Sequence, residues 1–371
     1  MKVLITGANG FIAQNLIEHL KRDEDIEFYL YTRKDSLNIL EAYLKEVDFI
    51  FHLAGVNRPK DTQEFYEGNS KLTQTIVDIL EKENKNTPIL LSSSIQSELD
   101  NDYGKSKLEA EKYLLDYSNK KDTNIYIYKL PNVFGKWSKP NYNSVISTWC
   151  YNISHDLEIQ VNNKSAEVNL VYVDDVIKSF LSKLTSDSDE KYCEIGTVYK
   201  KNLGEIEELL YAFKNNRNSL VIPEVASGFE RALYATYLSY LSTDDFSYAI
   251  KGHKDDRGTF YEILKTLDSG QFSLSTTAPG ITRGNHYHHT KNEKFLVVKG
   301  EALIEFRHIV TSEIISYNVS DKKIEIVEMI PGYTHNIKNT GDEEMILILW
   351  ANETFDQENP DTYFLEVNND K

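Results

Sequence analysis

The sequence predicts a doubly wound α/β parallel sheet followed by an all-β domain of jelly-roll type. Three observations carry this. Residues 2–130 alternate short apolar runs with amphipathic, helix-patterned stretches, the rhythm of a parallel sheet covered by helices on both faces. From residue 257 onward short runs rich in Ile, Val, Leu, Phe and Tyr recur instead, separated by turns at Gly258, Gly270, Gly280, Gly300 and Gly341; with no helical period, that texture reads as an antiparallel barrel. Finally, 371 residues exceed what one hydrophobic core comfortably organises. The polar stretch Leu241–Asp256 is the expected seam, giving domains at 1–245 and 246–371.

In the first domain the expected strands are Lys2–Thr6, Glu27–Thr32, Asp48–Leu53, Ile89–Ser93 and Asn124–Lys129. Expected helices are Phe11–Arg22, Thr62–Lys82 and Asp102–Ser118, where apolar residues return at helical spacing. A strand at Glu167–Tyr172 and helices at Val173–Leu184 and Leu203–Phe213 extend this domain to about residue 240. The acidic run Ser186–Glu190 reads as a solvated loop.

Composition is that of an ordinary globular protein, 40% hydrophobic and 27% charged. A net charge of −17 excludes a nucleic-acid coat, which needs a basic stripe. Cys150 and Cys193 are too few for a disulfide framework and suggest a reducing compartment. Met1-Lys2 leads directly into an apolar strand, and no apolar run reaches membrane-spanning length. A cytoplasmic protein is expected, without nucleic-acid or membrane partners.

Gly7-Ala-Asn-Gly10-Phe11-Ile12-Ala13 lies where the first strand meets the first helix. Glycines there let the backbone approach a pyrophosphate, and the free amides at the helix start, at Phe11 and Ile12, favour negative charge. The second strand ends in Tyr31-Thr32-Arg33-Lys34. A carboxylate at that place would bind a ribose 2′-hydroxyl; two cations, Arg33 foremost, favour the 2′-phosphate of NADPH. Tyr103 and Lys107 stand one turn apart on one helix face. A nearby ammonium lowers a phenol's pKa and makes it a usable acid and base. Ser94, past the fourth strand, is placed to hydrogen-bond the same substrate oxygen.

In the second domain His286 and His288 alternate along a strand and so emerge on one face. Glu293 follows, and His335 arrives in Pro331-Gly-Tyr-Thr-His335-Asn-Ile-Lys-Asn339. Three imidazoles and a carboxylate suit a divalent first-row metal, zinc foremost. His289 and His308 are left as surface or core histidines.

Residues 1 to about 240 resemble the extended short-chain dehydrogenase/reductases that act on nucleotide sugars, a Rossmann-type fold. The matching elements are Gly7–Ala13, His52-Leu-Ala54-Gly55, Ser92–Ser94, Tyr103–Lys107 and Pro131-Asn132-Val-Phe-Gly135. The resemblance implies that Tyr103 is the general acid, that Lys107 holds the nicotinamide ribose, that Ala54 lines the cofactor site and that Asn132 faces the substrate diphosphate. Ala13 replaces the third motif glycine. The interval from Ser94 to Tyr103 is shorter than usual, so which serine of Ser92–Ser94 completes the site stays open. The Gly280–Gly300 and Pro331–Asn339 stretches resemble the two cupin motifs. Asp256-Arg257-Gly258-Thr-Phe-Tyr-Glu262 resembles the opening of the metal-free deoxysugar 3,5-epimerase cupins, which keeps a metal-free sugar-binding cupin as the alternative.

Both halves call for a ketone, because a ring C–H is acidic only beside a carbonyl and a reductase needs one to reduce. A nucleotide-linked 4-keto-6-deoxy sugar serves both, with epimerisation at C3 preceding hydride delivery to C4. In its whole length the chain resembles the CapF-type bifunctional enzymes of capsule and O-antigen synthesis. That resemblance implies a UDP-linked 4-keto-6-deoxy-N-acetylhexosamine as substrate and a UDP-2-acetamido-2,6-dideoxy-L-talose product, on the route to UDP-N-acetyl-L-fucosamine. His289, Lys291 and Tyr333 are the candidates for the base at C3, and a homodimer is expected. Two other readings stand beside this one: an NADPH-dependent 4-ketoreductase whose cupin is structural or only binds sugar, and a non-catalytic NADPH-sensing regulator.

Overall fold

The computed structural model describes residues 1–186, 188–356, 358 and 360–368; Asp187 of the acidic run thus lies outside the described residues. Internal contacts divide the chain into two compact units, Met1–Tyr211 with Ala226–Ser242, and Ala212–Val225 with Thr243–Lys371. The last division falls within the expected seam. Residues 212–225, which the sequence pattern assigns to the first domain, group instead with the second unit.

The first unit opens with β1 (Lys2–Thr6), α1 (Phe11–Leu20), β2 (Glu27–Tyr31), α2 (Leu37–Glu46) and β3 (Phe49–His52). It continues through a single turn, α3 (Gln63–Phe65), a π-helical turn over Tyr66–Lys71, and then α4 (Leu72–Lys82), β4 (Ile89–Ser94), α5 (Asp102–Lys121) and β5 (Ile125–Leu130). Next come β6 (Asn132–Phe134), α6 (Val145–Ser154), β7 (Glu167–Tyr172), α7 (Val173–Ser182), β8 (Tyr192–Cys193), β9 (Tyr199–Asn202), α8 (Leu203–Ser219), which from Ala212 on groups with the second unit, and, after the strand β10 (Val221–Ile222) of that second unit, α9 (Gly228–Leu238). Six strands form a parallel sheet in the order β2-β1-β3-β4-β5-β8.

Successive side chains of a strand point to opposite faces, and β1 shows the consequence. Val3 and Ile5 join Leu16, Val176 and Phe180 in one core, while Leu4 joins Leu40, Ile76 and Leu114 in the other. Both faces are therefore dry, as a doubly wound sheet requires. Truncating fully buried Leu4 to Ala removes about 2–5 kcal/mol of stability.

The expected strands up to β5 all form, with ends within a residue of those read from sequence. The helix expected over Thr62–Lys82 is broken by the π turn at Tyr66–Lys71. That turn rotates Asn69 inward, where its amide accepts from the Val56 amide at 2.8 Å and donates to the Val56 carbonyl at 3.2 Å. Helix α8 runs to Ser219, beyond the expected Phe213.

The second unit adds β11 (Gly252–Asp255), β12 (Gly258–Thr266), β13 (Gln271–Thr277), β14 (Thr282–Tyr287), β15 (Glu293–Lys299), β16 (Glu301–His308), β17 (Ile314–Ser320), β18 (Val327–Met329), β19 (Tyr333–Asn339), β20 (Met345–Ala351) and β21 (Tyr363–Phe364). One sheet runs β10-β12-β13-β20-β15-β18, with β11 beside β12; the other runs β17-β16-β19-β14-β21. All pairings are antiparallel except β10 with β12. Phe295, Val327, Met329 and Leu347 from the first sheet pack with Ile304, Phe306, Val319 and Ile337 from the second to make the core.

Candidate functional site

The first turn of the parallel sheet is built for close approach. Gly7 has φ of +69°, and a Cβ there would lie 2.6 Å from the Ala54 Cα, so only glycine fits between β1 and the end of β3. Gly10 caps α1 and donates its amide to the Gly7 carbonyl at 2.8 Å, and Phe11 and Ile12 follow as the helix's first residues. The Ala54 amide donates to Thr6 Oγ1 at 3.2 Å, which fixes that residue beside the turn.

Arg33 and Lys34 are exposed just past β2. The nearest carboxylate beyond them, Asp35, folds back and accepts from both the Thr32 amide and the Thr32 hydroxyl at 2.7 Å. Those hydrogen bonds hold Asp35 below the usual carboxylate range and leave the cations as the free charges of the turn.

His52 is fully enclosed under β3. Thr73 gives its hydroxyl hydrogen to the Asn69 carbonyl, so its oxygen accepts from His52 Nε2–H at 2.8 Å. The Thr6 hydroxyl then donates to Nδ1 at 2.7 Å. One neutral tautomer satisfies this chain, and burial, with the nearby Lys107 charge, pushes the ring down to about 3.

Helix α5 starts at the Asn101 cap, whose side chain accepts from the Gly104 amide, and it aims Tyr103 and Lys107 toward the end of β4. Tyr103 packs against Phe65 in a tilted arrangement, with ring centroids 5.6 Å apart. Burial raises its phenol, and the nearby Ser94 hydroxyl partly offsets the rise. This differs from the sequence expectation, in which the Lys107 ammonium would lower the phenol. The reason is geometric: Lys107 Nζ donates to the Ser92 carbonyl at 3.0 Å. Lys107 is buried, and desolvation brings it down to about 8. Of the serines left open by sequence, Ser94 lies near enough to Tyr103 to influence its phenol, while Ser92 lends its carbonyl to Lys107. Asn132, exposed at the start of β6, donates to the Asn169 carbonyl at 3.3 Å. Near it lies a cavity of about 600 Å³ lined in part by Ile95, Leu130, Pro131, Asn169, Tyr192 and Val198.

In the second unit His286 of β14 stands opposite His335 of β19. The register slips between Gly284 and His286, with φ of +93° at Gly284 and +60° at Asn285. A Cβ on Gly284 would come within 2.9 Å of the His335 carbonyl. This bulge sets the side of the strand on which His286 emerges. Glu293 opens β15 in the facing sheet. Candidate ligand atoms of His286, His288, Glu293 and His335 all lie within 4.8 Å of one another.

The donor set fits a divalent cation. His288 Nδ1 donates to the Asp361 carbonyl, an acceptor only, so its Nε2 carries a lone pair. Among the described residues, His288 Nε2 and both ring nitrogens of His335 are buried without hydrogen-bond partners. Leaving such atoms dry and unpaired is costly unless something fills the gap between them. Burial pushes His286 down to about 4, which keeps it a neutral donor. Burial alone would raise Glu293, but contacts with His288, His335 and Lys291 prevail and hold it well below the usual carboxylate range.

Of the three candidate bases, Lys291 is buried with Nζ 3.6 Å from Glu293 Oε1. His289 is exposed and packs on Tyr287 and Tyr363. Tyr333 packs against His308, whose Nδ1 accepts from the Val310 and Thr311 amides and so closes a turn. Asp361 is a residue that sequence reasoning missed. Its carboxylate accepts from the amides of His289, Thr290 and Lys291 at 2.7–2.9 Å, yet it lies far along the chain in no recognisable pattern.

A parallel sheet with a glycine turn under a helix start, and a Tyr/Lys pair beside a strand-end serine, define the class of nucleotide-cofactor reductases and epimerases. The model of the NAD dependent epimerase/dehydratase family matches residues 3–196, and that of the polysaccharide biosynthesis C-terminal domain matches residues 253–363. A UDP-2-acetamido-2,6-beta-L-arabino-hexul-4-ose reductase of Pseudomonas aeruginosa is 50% identical over 368 residues, 99% of each chain. The crystal structure of the capsular polysaccharide assembling protein CapF of Staphylococcus aureus superimposes with a TM-score of 0.92 at 49% identity, covering 99% of this chain and 100% of that one. A UDP-glucose 4-epimerase of Thermotoga maritima shares the fold alone, at 15% identity and a TM-score of 0.55 over 65% of this chain. The chain belongs to the NAD dependent epimerase/dehydratase family and, within it, to the CapF-type proteins. Among the described residues no helix is long and apolar enough to cross a membrane.

Proposed function

We propose that this protein reduces the 4-keto group of a UDP-linked 6-deoxy-N-acetylhexosamine with NADPH, after its second, cupin-type unit has epimerised C3. The product is then UDP-2-acetamido-2,6-dideoxy-L-talose, on the route to UDP-N-acetyl-L-fucosamine for capsule or O-antigen. The observation that carries the reading is the grouping of Ser94, Tyr103 and Lys107 at the end of β4. The P. aeruginosa relative, named as a reductase of such a hexulose and alike from end to end, supports it.

The nicotinamide, when bound, supplies the hydride. Gly7, Gly10 and the first amides of α1 hold the pyrophosphate, and Arg33 receives the 2′-phosphate. Ser94 orients the C4 oxygen, and Tyr103, kept protonated by burial, gives its proton to that oxygen as the carbonyl becomes an alcohol. Lys107 holds the ribose and offsets the charge left on the phenolate. Asn132 faces the substrate diphosphate.

In the second unit His286, His288, Glu293 and His335 would hold a divalent cation, zinc by its preference for such donors. Such an ion supplies positive charge that offsets the negative charge left when a proton leaves the carbon beside a ketone. Lys291, buried beside this quartet as the cationic partner of Glu293, adds to that positive charge, and His289 and Tyr333 are the other candidates for the base that takes the proton. Hydride delivery at C4 abolishes the acidity at C3, so the order of steps is fixed by chemistry.

The test is to incubate the protein with a UDP-4-keto-6-deoxy-N-acetylhexosamine in D2O, with and without NADPH, and to analyse products by NMR and mass spectrometry. Deuterium at C3 without NADPH, and a reduced L-talose product with it, are expected. Reduction without label at C3 would leave a 4-ketoreductase whose second unit only binds sugar or has a structural role.

A further inference from the structure

Among the described residues of the first unit, Glu111 is the one acidic side chain that is fully buried, at 0% exposure. A carboxylate withdrawn from water needs strong partners, because an unpaired buried charge is severely destabilising. Glu111 follows Tyr103 and Lys107 at successive turns along one face of α5. The Ser93 hydroxyl donates to its Oε1, and the Tyr192 hydroxyl of β8 donates to its Oε2 at 3.3 Å. Neighbouring strand residues thus grip neighbouring turns of the helix, since the Ser92 carbonyl receives Lys107 while the Ser93 hydroxyl reaches Glu111.

We infer that Glu111 is a positioning residue of the reductase site, seating α5 on β4 and supplying the negative charge that Lys107 faces. The inference rests on the proposed role of Tyr103 and Lys107. Its charge has two cations within reach. Lys129 of β5 lies 4.0 Å from Oε2, but it also pairs with Glu98 at 2.9 Å and sits over the Tyr192 ring at 5.0 Å. Lys107, one turn earlier on the same face of α5, is the other, acting through space and without a direct ion pair. The charged or titratable groups around Lys107 are Tyr103 and Glu111 on its own helix and His52 from β3, which is neutral under these contacts. Burial lowers Lys107, and Glu111 acts in the opposite direction. Without that carboxylate the ammonium would lose its proton nearer neutrality, and with it the support for a phenolate on Tyr103.

The experiment follows NADPH oxidation with the 4-keto sugar as a function of pH in the full-length protein and in the variants Glu111→Gln, Glu111→Asp and Lys107→Ala. In Glu111→Gln the alkaline limb of kcat moves toward lower pH by about one unit. Glu111→Asp keeps the charge but withdraws it by a methylene, and it moves the limb part of the way. An equal loss of kcat at every pH with the limb unmoved would overturn the inference, since that is what a purely structural residue produces. Should the Gln variant not fold, an unmoved limb in Glu111→Asp overturns it in the same way. Lys107→Ala separates the two levels: wild-type turnover there would remove the reading of the reductase site itself, whatever Glu111 does.

Discussion

His288 Nδ1 and the main-chain carbonyl of Asp361 share a hydrogen bond, and the carboxylate of the same aspartate holds three successive amides just after His288. One residue therefore fixes both the tautomer of the His288 imidazole, a candidate ligand, and the loop that follows it. Outer contacts of this kind set how well a metal is held. Asp361→Ala is expected to weaken metal binding roughly ten- to a hundred-fold, measured by competition with a chromophoric chelator. An unchanged affinity would show that the loop keeps its shape without the clamp.

His288→Ala removes one of the four proposed ligands outright. The metal-to-protein ratio after dialysis, read by elemental analysis, should fall well below that of the unaltered protein. If it does not, the quartet is not the ligand set.

Tyr103→Phe deletes the phenolic proton while keeping the ring against Phe65. Loss of a positioned acid should slow NADPH oxidation about a hundred- to ten-thousand-fold, with deuterium exchange at the sugar C3 preserved. Exchange lost along with reduction would mean that the two chemistries are not independent.

Arg33→Ala tests the cofactor. A charge-assisted contact to a phosphate contributes about 1.5–3 kcal/mol. KM for NADPH should therefore rise roughly ten- to a hundred-fold by that energy, with KM for NADH little altered. Equal shifts for the two cofactors would count against a 2′-phosphate at this turn.

His52 makes stability depend on pH with a definite sign. Its folded value, about 3, lies below the ordinary 6.5, so between these values the unfolded chain binds more protons. The contribution is complete above the unfolded value and declines as pH falls through this window, by about 2 kcal/mol at pH 5. Denaturant midpoints of the protein should decline from pH 7 to pH 5, and more weakly in His52→Gln. Equal slopes would show that other groups govern the acid limb.

Much of this was legible in the chain because its signals are local. The β1 to β5 strands are short apolar runs, and period and length suffice to mark them. The clustering of His286, His288 and Glu293 is likewise foreshadowed by their spacing along one strand and the next. What escaped is long-range or weakly patterned. Helix α2 exposes Leu37 and Ile39 while it buries Leu40 and Leu44, so apolar residues run around it and its period is blurred. The π turn depends on Asn69 meeting the backbone at Val56, a tertiary contact with no mark in sequence. Asp361 reaches its partners only because β21 lies beside β14. The phenol of Tyr103 was misjudged for a related reason: helical spacing shows that Lys107 is near, and burial decides which effect wins.

Strand β10 lies parallel to β12, with Val221 opposite Lys265 and Ile222 opposite Thr266. A piece made early in synthesis is thus stitched into a sheet whose other strands leave the ribosome later. Cutting the gene once, after Ser242, would strip that sheet of a margin strand and leave the Lys265–Thr266 end of β12, beyond its pairing with β11, as a bare edge open to foreign chains. Anyone wishing to produce the second unit alone must carry residues 212–225 along with it, for instance by rejoining them through a permuted linker.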